Sequence, residues 1–264
     1  MPTAKRKPRV YNADKTRTAV LAQFGNVRKA VGALTPEQLA GPTRLGDWTV
    51  RELAAHITMA TSAVARGLAA AEPGKAQLLP QDWPVTSAPY AQDIAAYVTG
   101  LAADNDLATL YDDAEHSLEQ ALAQHPGGRI IATRTGAMTL SDYLVTRTVE
   151  LIVHTDDLND AVPGLDIPYD RQALAACTRI LADALATKAP GASTEVRIPP
   201  YAVVQCVEGP RHTRGTPPNV VETDPLTWIR LATGRTTWPA AVEDALVSAS
   251  GERADLAGLL PVMA

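Results

Sequence analysis

Across residues 15–34 the apolar side chains Val20, Leu21, Phe24, Val27, Val31 and Leu34 return every three or four positions, the period of a helix buried along one face. The pattern predicts a first long helix. TPEQL follows at 35–39, with Thr35 placed as a cap and Pro36 at the first helical position, so a short helix or turn comes next. At Thr49 the helical pattern restarts. Glu52, three residues on, completes a capping box, and Val50, Leu53, Ile57, Ala60 and Val64 form an apolar face with His56 at its edge. A proline-bearing connection over 73–89 leads to a third helical region at about 90–124, where Ile94, Val98, Leu101, Leu107, Leu110, Leu118 and Leu122 recur; Pro126-Gly127-Gly128 stops it. RIIATRTGAMTL, 129–140, holds a turn or a short extended piece. Ser141 can then cap a fourth helix, SDYLVTRTVELIVHTDDLNDAV, which Pro163-Gly164 ends.

The fourth helix is apolar on most of its circumference, through Leu144, Val145, Val149, Leu151, Ile152, Val153 and Leu158. At 100° per residue, Tyr143, Arg147, Glu150, His154 and Asp157 fall within one arc of roughly 80°. Two readings fit this polar stripe. It is the solvent side, with Arg147 and Glu150 an ordinary i,i+3 ion pair of about 0.2–0.5 kcal/mol, or it faces a site. E-x-x-x-H alone does not decide between them.

After 164 the pattern changes. A helix over 171–188 is followed by TEVRIPPYAVVQCVEG and NVVETD, short β-branched runs bounded by Pro and Gly that predict strands. DPLTWIRLATG resumes helical spacing, 246–250 reads as a last strand and ADLAGLLPVM as a last helix. This order predicts an α+β domain. The chain of 264 residues therefore divides into 10–164, four long helices, and 165–264, a smaller α+β domain.

Composition narrows the partners. A hydrophobic share of 46% suits a globular chain, and a formal charge of −5 offers no general attraction to nucleic acid or anionic lipid. The basic start, AKRKPR, is short and reads as a solvated tail. Cys177 and Cys206 lie far apart and outside any C-x-x-C spacing, which argues against a disulfide framework or a zinc ribbon. With no apolar run of about 18 residues and no signal-peptide pattern, a soluble cytoplasmic protein with no membrane or nucleic-acid partner, and a monomer, is the expectation.

Four long helices in about 150 residues predict a bundle, whose inward-facing side chains build metal and cofactor sites. His56 on the second helix can meet Glu150 and His154 on the fourth. Three protein ligands with an open position suit a catalytic zinc or another divalent metal. The plainer reading of His56 is a core-edge histidine with a backbone partner. Arg147 and Asp157 share the stripe and are candidates to hold a ligand from behind by hydrogen bonding; helix-surface charge is the alternative. His116, His125 and His212 show no pattern linking them to this set.

LGDWTVRELAAHI, 45–57, and DYLVTRTVELIVHTDDL, 142–158, together with the first helix, resemble the mycothiol-dependent maleylpyruvate isomerase family of the DinB-like superfamily. The resemblance covers roughly residues 10–160. It implies a DinB-like four-helix bundle with a divalent metal, usually zinc, on His56, Glu150 and His154, and mycothiol as co-substrate. The last 45 or so residues resemble the sterol-carrier-like domain that ends many actinobacterial members of that family, through Trp228, Gly234, Arg235, Trp238, Gly251 and Asp255. Each of these also has an ordinary reading: tryptophans as core anchors, glycines as turns, Asp255 as a helix start.

Two function classes follow. One is a metal-dependent enzyme that activates a small thiol toward a small electrophile, by isomerisation or by thiol transfer; a cis-enedione would isomerise through thiolate addition, bond rotation and elimination. The other is a carrier or binding protein for an apolar ligand, with a non-catalytic metal site. The resemblance also implies that the C-terminal domain contributes to the active site; Arg235 and Arg253 are its candidates for a substrate carboxylate, in a cleft between the domains, with surface ion pairs as the plainer role.

Overall fold

The computed structural model describes residues 7–86, 90–209 and 218–263. His212 and the first half of the basic start, residues 4–6, lie outside the described residues. Contacts group the chain into two compact units, one of Tyr11–Leu78 with Pro89–Leu174, the other of Met1–Val10, Leu79–Ala88 and Ala175–Ala264. The chain passes from one grouping to the other within the helix over 171–188. None of the described helices is long and apolar enough to cross a membrane.

The first unit is helical. α1 (Ala13–Val31) starts where the Asn12 side chain accepts from the Lys15 amide, and it buries Val20, Phe24 and Val27. α2 (Pro36–Leu39) carries a capping box between Thr35 and Gln38. α3 (Val50–Ala69) opens on the expected box, Thr49 with Glu52. Next come α4 (Ala91–Asp104), α5 (Leu107–Gln124), the hairpin β1 (Ile130–Thr133) and β2 (Gly136–Thr139), and α6 (Leu140–Ala161). α1 and α3 both pack on α5 and α6, so α1, α3, α5 and α6 share one core, with α4 set against α3. Phe24 stacks on Tyr111 at 5.3 Å between ring centroids, amid Leu53, Ile57, Leu118, Leu122, Ile131, Met138, Leu151 and Leu158. Arg28 of α1 pairs with Asp112 and Glu115 of α5 on the outside.

Two expectations are corrected here, and two readings left open are settled. The third helical region is two helices, because Asn105 is extended and the Asp106 carboxylate caps α5 by accepting from the Thr109 amide. Thr139, not Ser141, caps α6: its hydroxyl accepts from the Asp142 amide, while Ser141 donates to the Gly127 carbonyl. The segment before α6 is a complete two-stranded hairpin. The stripe on α6 is not a solvent face, since Tyr143, Arg147 and Asp157 are buried and Glu150 and His154 nearly so.

The second unit is α+β. It holds most of α7 (Arg171–Lys188), the strands β3 (Thr194–Ile198), β4 (Ala202–Cys206), β5 (Val220–Thr223) and β6 (Val247–Ser250), and α8 (Pro225–Ala232) and α9 (Trp238–Glu243). The sheet runs β4-β3-β5-β6, with β3 and β5 parallel and both outer pairs antiparallel. Alternate residues Val196, Ile198, Ala202, Val204 and Cys206 point to the core. Trp228 of α8 is buried and donates from its indole N–H to the Thr178 carbonyl of α7. Gly251 is required: at φ +106° with the Pro218 carbonyl oxygen 2.2 Å from where a Cβ would stand, no side chain fits. The expected last helix is one 3-10 turn, Ala257–Leu259, because Asp255 accepts from the Ala257 amide and Pro261 ends it. α9, after Thr237, was not foreseen.

Candidate metal centre

α3 and α6 lie side by side in the bundle, and their facing turns carry His56, Glu150 and His154. Each offers one donor atom, and these lie within 4.8 Å of one another. His56 Nε2 is 3.2 Å and His154 Nε2 3.3 Å from the same Glu150 oxygen, Oε2. Glu150 and His154 sit four apart on α6, so one helical turn stacks them on one face. The two imidazoles meet edge to face, with ring centroids 4.7 Å apart.

The surroundings explain why these side chains stand there. The Trp48 ring covers His56 at 5.1 Å, and the Arg147 guanidinium lies over the Tyr143 ring at 4.5 Å with Nη1 3.8 Å from Glu150 Oε1. Arg147 also donates to the Thr146 hydroxyl from Nε and Nη2. Asp157 Oδ2 is 2.9 Å from His154 Nδ1. A buried carboxylate accepts only, so His154 donates from Nδ1 and turns Nε2 toward Glu150. Both stripe candidates therefore sit behind the cluster.

Electrostatics follow from these contacts. Burial opposes ionisation of Glu150, but hydrogen bonding to His154 and His56 and the Arg147 charge outweigh it and hold the carboxyl well below its usual range. Burial also works against His154, yet Asp157 and Glu150 prevail and raise it. His56 is lowered, chiefly by burial. Its Nδ1 is buried without a hydrogen-bond partner, so its proton belongs on Nε2, facing Glu150.

Sequence reasoning missed Arg44. Its Nε donates to Asp157 Oδ1 at 2.7 Å and its Nη2 to Asp156 Oδ2 at 2.6 Å, and Tyr169 donates to Asp156 Oδ1 at 3.1 Å. The signal was present in the adjacent pair Asp156-Asp157 on a largely apolar helix, since two buried carboxylates need a cation. His116 is exposed on α5 and His125 follows it, both apart from the cluster. In the other unit, Arg235 Nη1 donates to the Thr233 carbonyl; the Arg253 backbone amide donates to Asn219 Oδ1 and its side chain is exposed.

The model of the mycothiol maleylpyruvate isomerase N-terminal domain matches residues 20–159. The chain belongs to that family. Residues 170–262 match the family described as bacterial SCP ortholog. Among solved structures, the mycothiol-dependent maleylpyruvate isomerase superposes with a TM-score of 0.60 at 17% identity, covering 93% of this chain and 95% of that one. A histidine-to-alanine mutant of it gives 0.58 at 16% identity, with the same coverage. At such identity the likeness shows a shared fold. No curated protein matches the chain in sequence. A DinB-like helical bundle followed by an α+β domain is thus the architecture of this family member.

Proposed function

We propose that the chain is a divalent-metal-dependent enzyme that activates a low-molecular-weight thiol, mycothiol in the first instance, for isomerisation of a small electrophile or for transfer to one. The carrying observation is the donor set. Two imidazole nitrogens at 3.2 and 3.3 Å from one carboxylate oxygen lie at or just below the short end of the separation expected of ligands about 2.0–2.2 Å from a shared tetrahedral centre, roughly 3.3–3.6 Å. Three protein donors leave a position for a reactant, whereas structural zinc sites close with four. Zinc fits this mixed nitrogen and oxygen set.

A bound divalent ion would supply Lewis acidity, lowering the pKa of a thiol or water so that a nucleophile exists at neutral pH. The protein's own residues prepare the place. Asp157 holds His154 with its Nε2 lone pair toward the centre, Glu150 supplies the negative charge, and Trp48 keeps water from His56. Arg147 sets a buried positive charge beside Glu150, where it favours the carboxylate form. The chain's own thiols are unsuited to act as nucleophiles, because burial pushes Cys206 up to about 11 and Cys177 higher still. The reacting thiol therefore comes from outside. Family membership together with the resemblance of the solved isomerase favours mycothiol and a cis-enedione acid of the maleylpyruvate type.

The match to the bacterial SCP family favours a second reading, an apolar-ligand carrier whose metal site is not catalytic. One assay separates them. The zinc-loaded chain is mixed with mycothiol and maleylpyruvate, and conversion of the cis-enedione to its trans isomer or to a thiol adduct is followed by chromatography with and without chelator. The enzyme reading expects turnover that requires both zinc and thiol. If maleylpyruvate and a panel of simple electrophiles remain unreacted while zinc is bound at full occupancy, the enzyme reading fails and the carrier reading stands.

A further inference from the structure

The centre's donors are held by a chain of contacts that ends outside α6, at Arg44 in the turn between α2 and α3. Asp156 and Asp157 are 3% and 0% exposed, so two neighbouring carboxylates on one helical turn are removed from water. Such a pair repels itself and is strongly destabilising unless each charge is matched and each oxygen is hydrogen-bonded. Arg44 meets that need in one way only. Its guanidinium straddles the pair, with Nε on Asp157 and Nη2 on Asp156, and Nη1 is 3.5 Å from Asp160 at the rim. Tyr169 takes the second Asp156 oxygen and His154 the second Asp157 oxygen. All four oxygens of the two buried carboxylates thus have a donor, and only one of those donors is a metal-ligand candidate.

This arrangement has a directional consequence. Asp157 accepts from His154 Nδ1 through Oδ2, and it can do so only while the carboxylate is turned so that this oxygen faces the ring. Arg44 secures that orientation: its Nε contact at 2.7 Å fixes Oδ1 on the opposite side. We infer that Arg44 is a positioning residue for the metal centre, acting through Asp157 to fix the tautomer and ring orientation of His154. The planar fork is essential to this role. A lysine ammonium is a single point charge and cannot donate in fixed directions to two carboxylates at once. The turn that carries Arg44 is itself fixed: the Thr43 amide and hydroxyl both donate to the Trp48 carbonyl, and Trp48 covers His56. One short segment before α3 therefore orients a donor on each helix, His56 directly and His154 through Arg44 and Asp157.

The inference rests on the metal reading above, and the experiment separates the two. Full-length wild type, Arg44→Met and Arg44→Lys are compared. Zinc affinity is measured by competition with a chromophoric chelator, and the ring nitrogens of His154 are observed by 15N NMR in the metal-free protein. Thermal midpoints monitor folding. Wild type should show a protonated, hydrogen-bonded Nδ1 on His154. Arg44→Met should weaken zinc 10- to 100-fold, the range typical of partners behind a ligand, and lose that Nδ1 signature. Arg44→Lys, which keeps a charge and is expected to fold, should weaken zinc several-fold with a partial change at His154. If Arg44→Lys and any folded Arg44→Met bind zinc as wild type does with an unchanged His154 spectrum, Arg44 is only a tie between segments and the inference is overturned. If wild type binds no zinc, the metal reading fails, and the metal-free His154 spectra alone decide whether Arg44 orients that ring.

Discussion

Glu150 shows how one side chain can be fixed in meaning by its neighbours. Its position four residues before His154 is plain in the sequence, but a helix surface carries such pairs often, and only the approach of His56 from α3 turns the pair into a three-donor set. Glu150→Gln keeps the shape and removes the charge between two imidazoles, so zinc affinity should fall by more than the 10–100-fold loss expected of Asp157→Asn, which acts from behind His154. Chelator competition reads both, and equal affinity in Asp157→Asn and wild type would leave Asp157 a simple buried charge. Arg147, Glu150, His154 and Asp157 were legible because one helical wheel places them together, whereas His56, on another helix, was joined to them only by the expectation of a bundle and by the family resemblance. Arg44 was not, since nothing in GPTRLGDW states that a turn 112 residues away along the chain meets Asp156. Long-range pairing of a loop arginine leaves no periodicity to read.

At the scale of elements, caps were the most readable feature where side chain and backbone agree. Thr49 and Glu52 form the box that starts α3, the helix that carries His56, and Thr49→Ala should destabilise the protein by about 1 kcal/mol in urea unfolding. Glu52 adds a pH dependence. Burial opposes its ionisation, but the Thr49 amide and hydroxyl and the Thr99 hydroxyl prevail and lower its pKa from the ordinary 4.5. A carboxyl lowered on folding contributes stability that is present above its unfolded value and lost as pH falls through the folded one. The gap in urea midpoint between wild type and Glu52→Gln should therefore narrow as pH is taken from 7 to below about 4; a constant gap would show that the carboxylate charge does not matter. The misread elements have local causes. A continuous apolar period across 90–124 hid the break at Asn105-Asp106, where a side-chain cap outweighs the pattern. Ser141 and Thr139 are equally good caps by residue type, and only the hairpin register, with Thr139 opposite Ile130, shows which hydroxyl is free to do it.

For the whole molecule, the order of helical and β-branched segments was enough to separate a bundle from an α+β unit, because periods of 3.6 and 2 leave different patterns. The finer grouping was not readable. Residues 79–86 group with the C-terminal unit although in sequence they lie between two helices of the bundle, and Trp83 there is buried for reasons a proline-rich linker does not announce. The residues that carried the sterol-carrier likeness turn out to have structural reasons of their own: Trp228 as core, Gly234 at φ +73° and Gly251 at a close approach. The central claim concerns the metal, and it is tested most directly by metal content of the intact chain after equilibration with zinc and gel filtration. About one zinc per chain is expected in the wild type, and near none in a variant carrying both His56→Ala and His154→Ala, which leaves a single donor. A wild type that retains no zinc, or a double variant that retains it fully, would contradict the assignment.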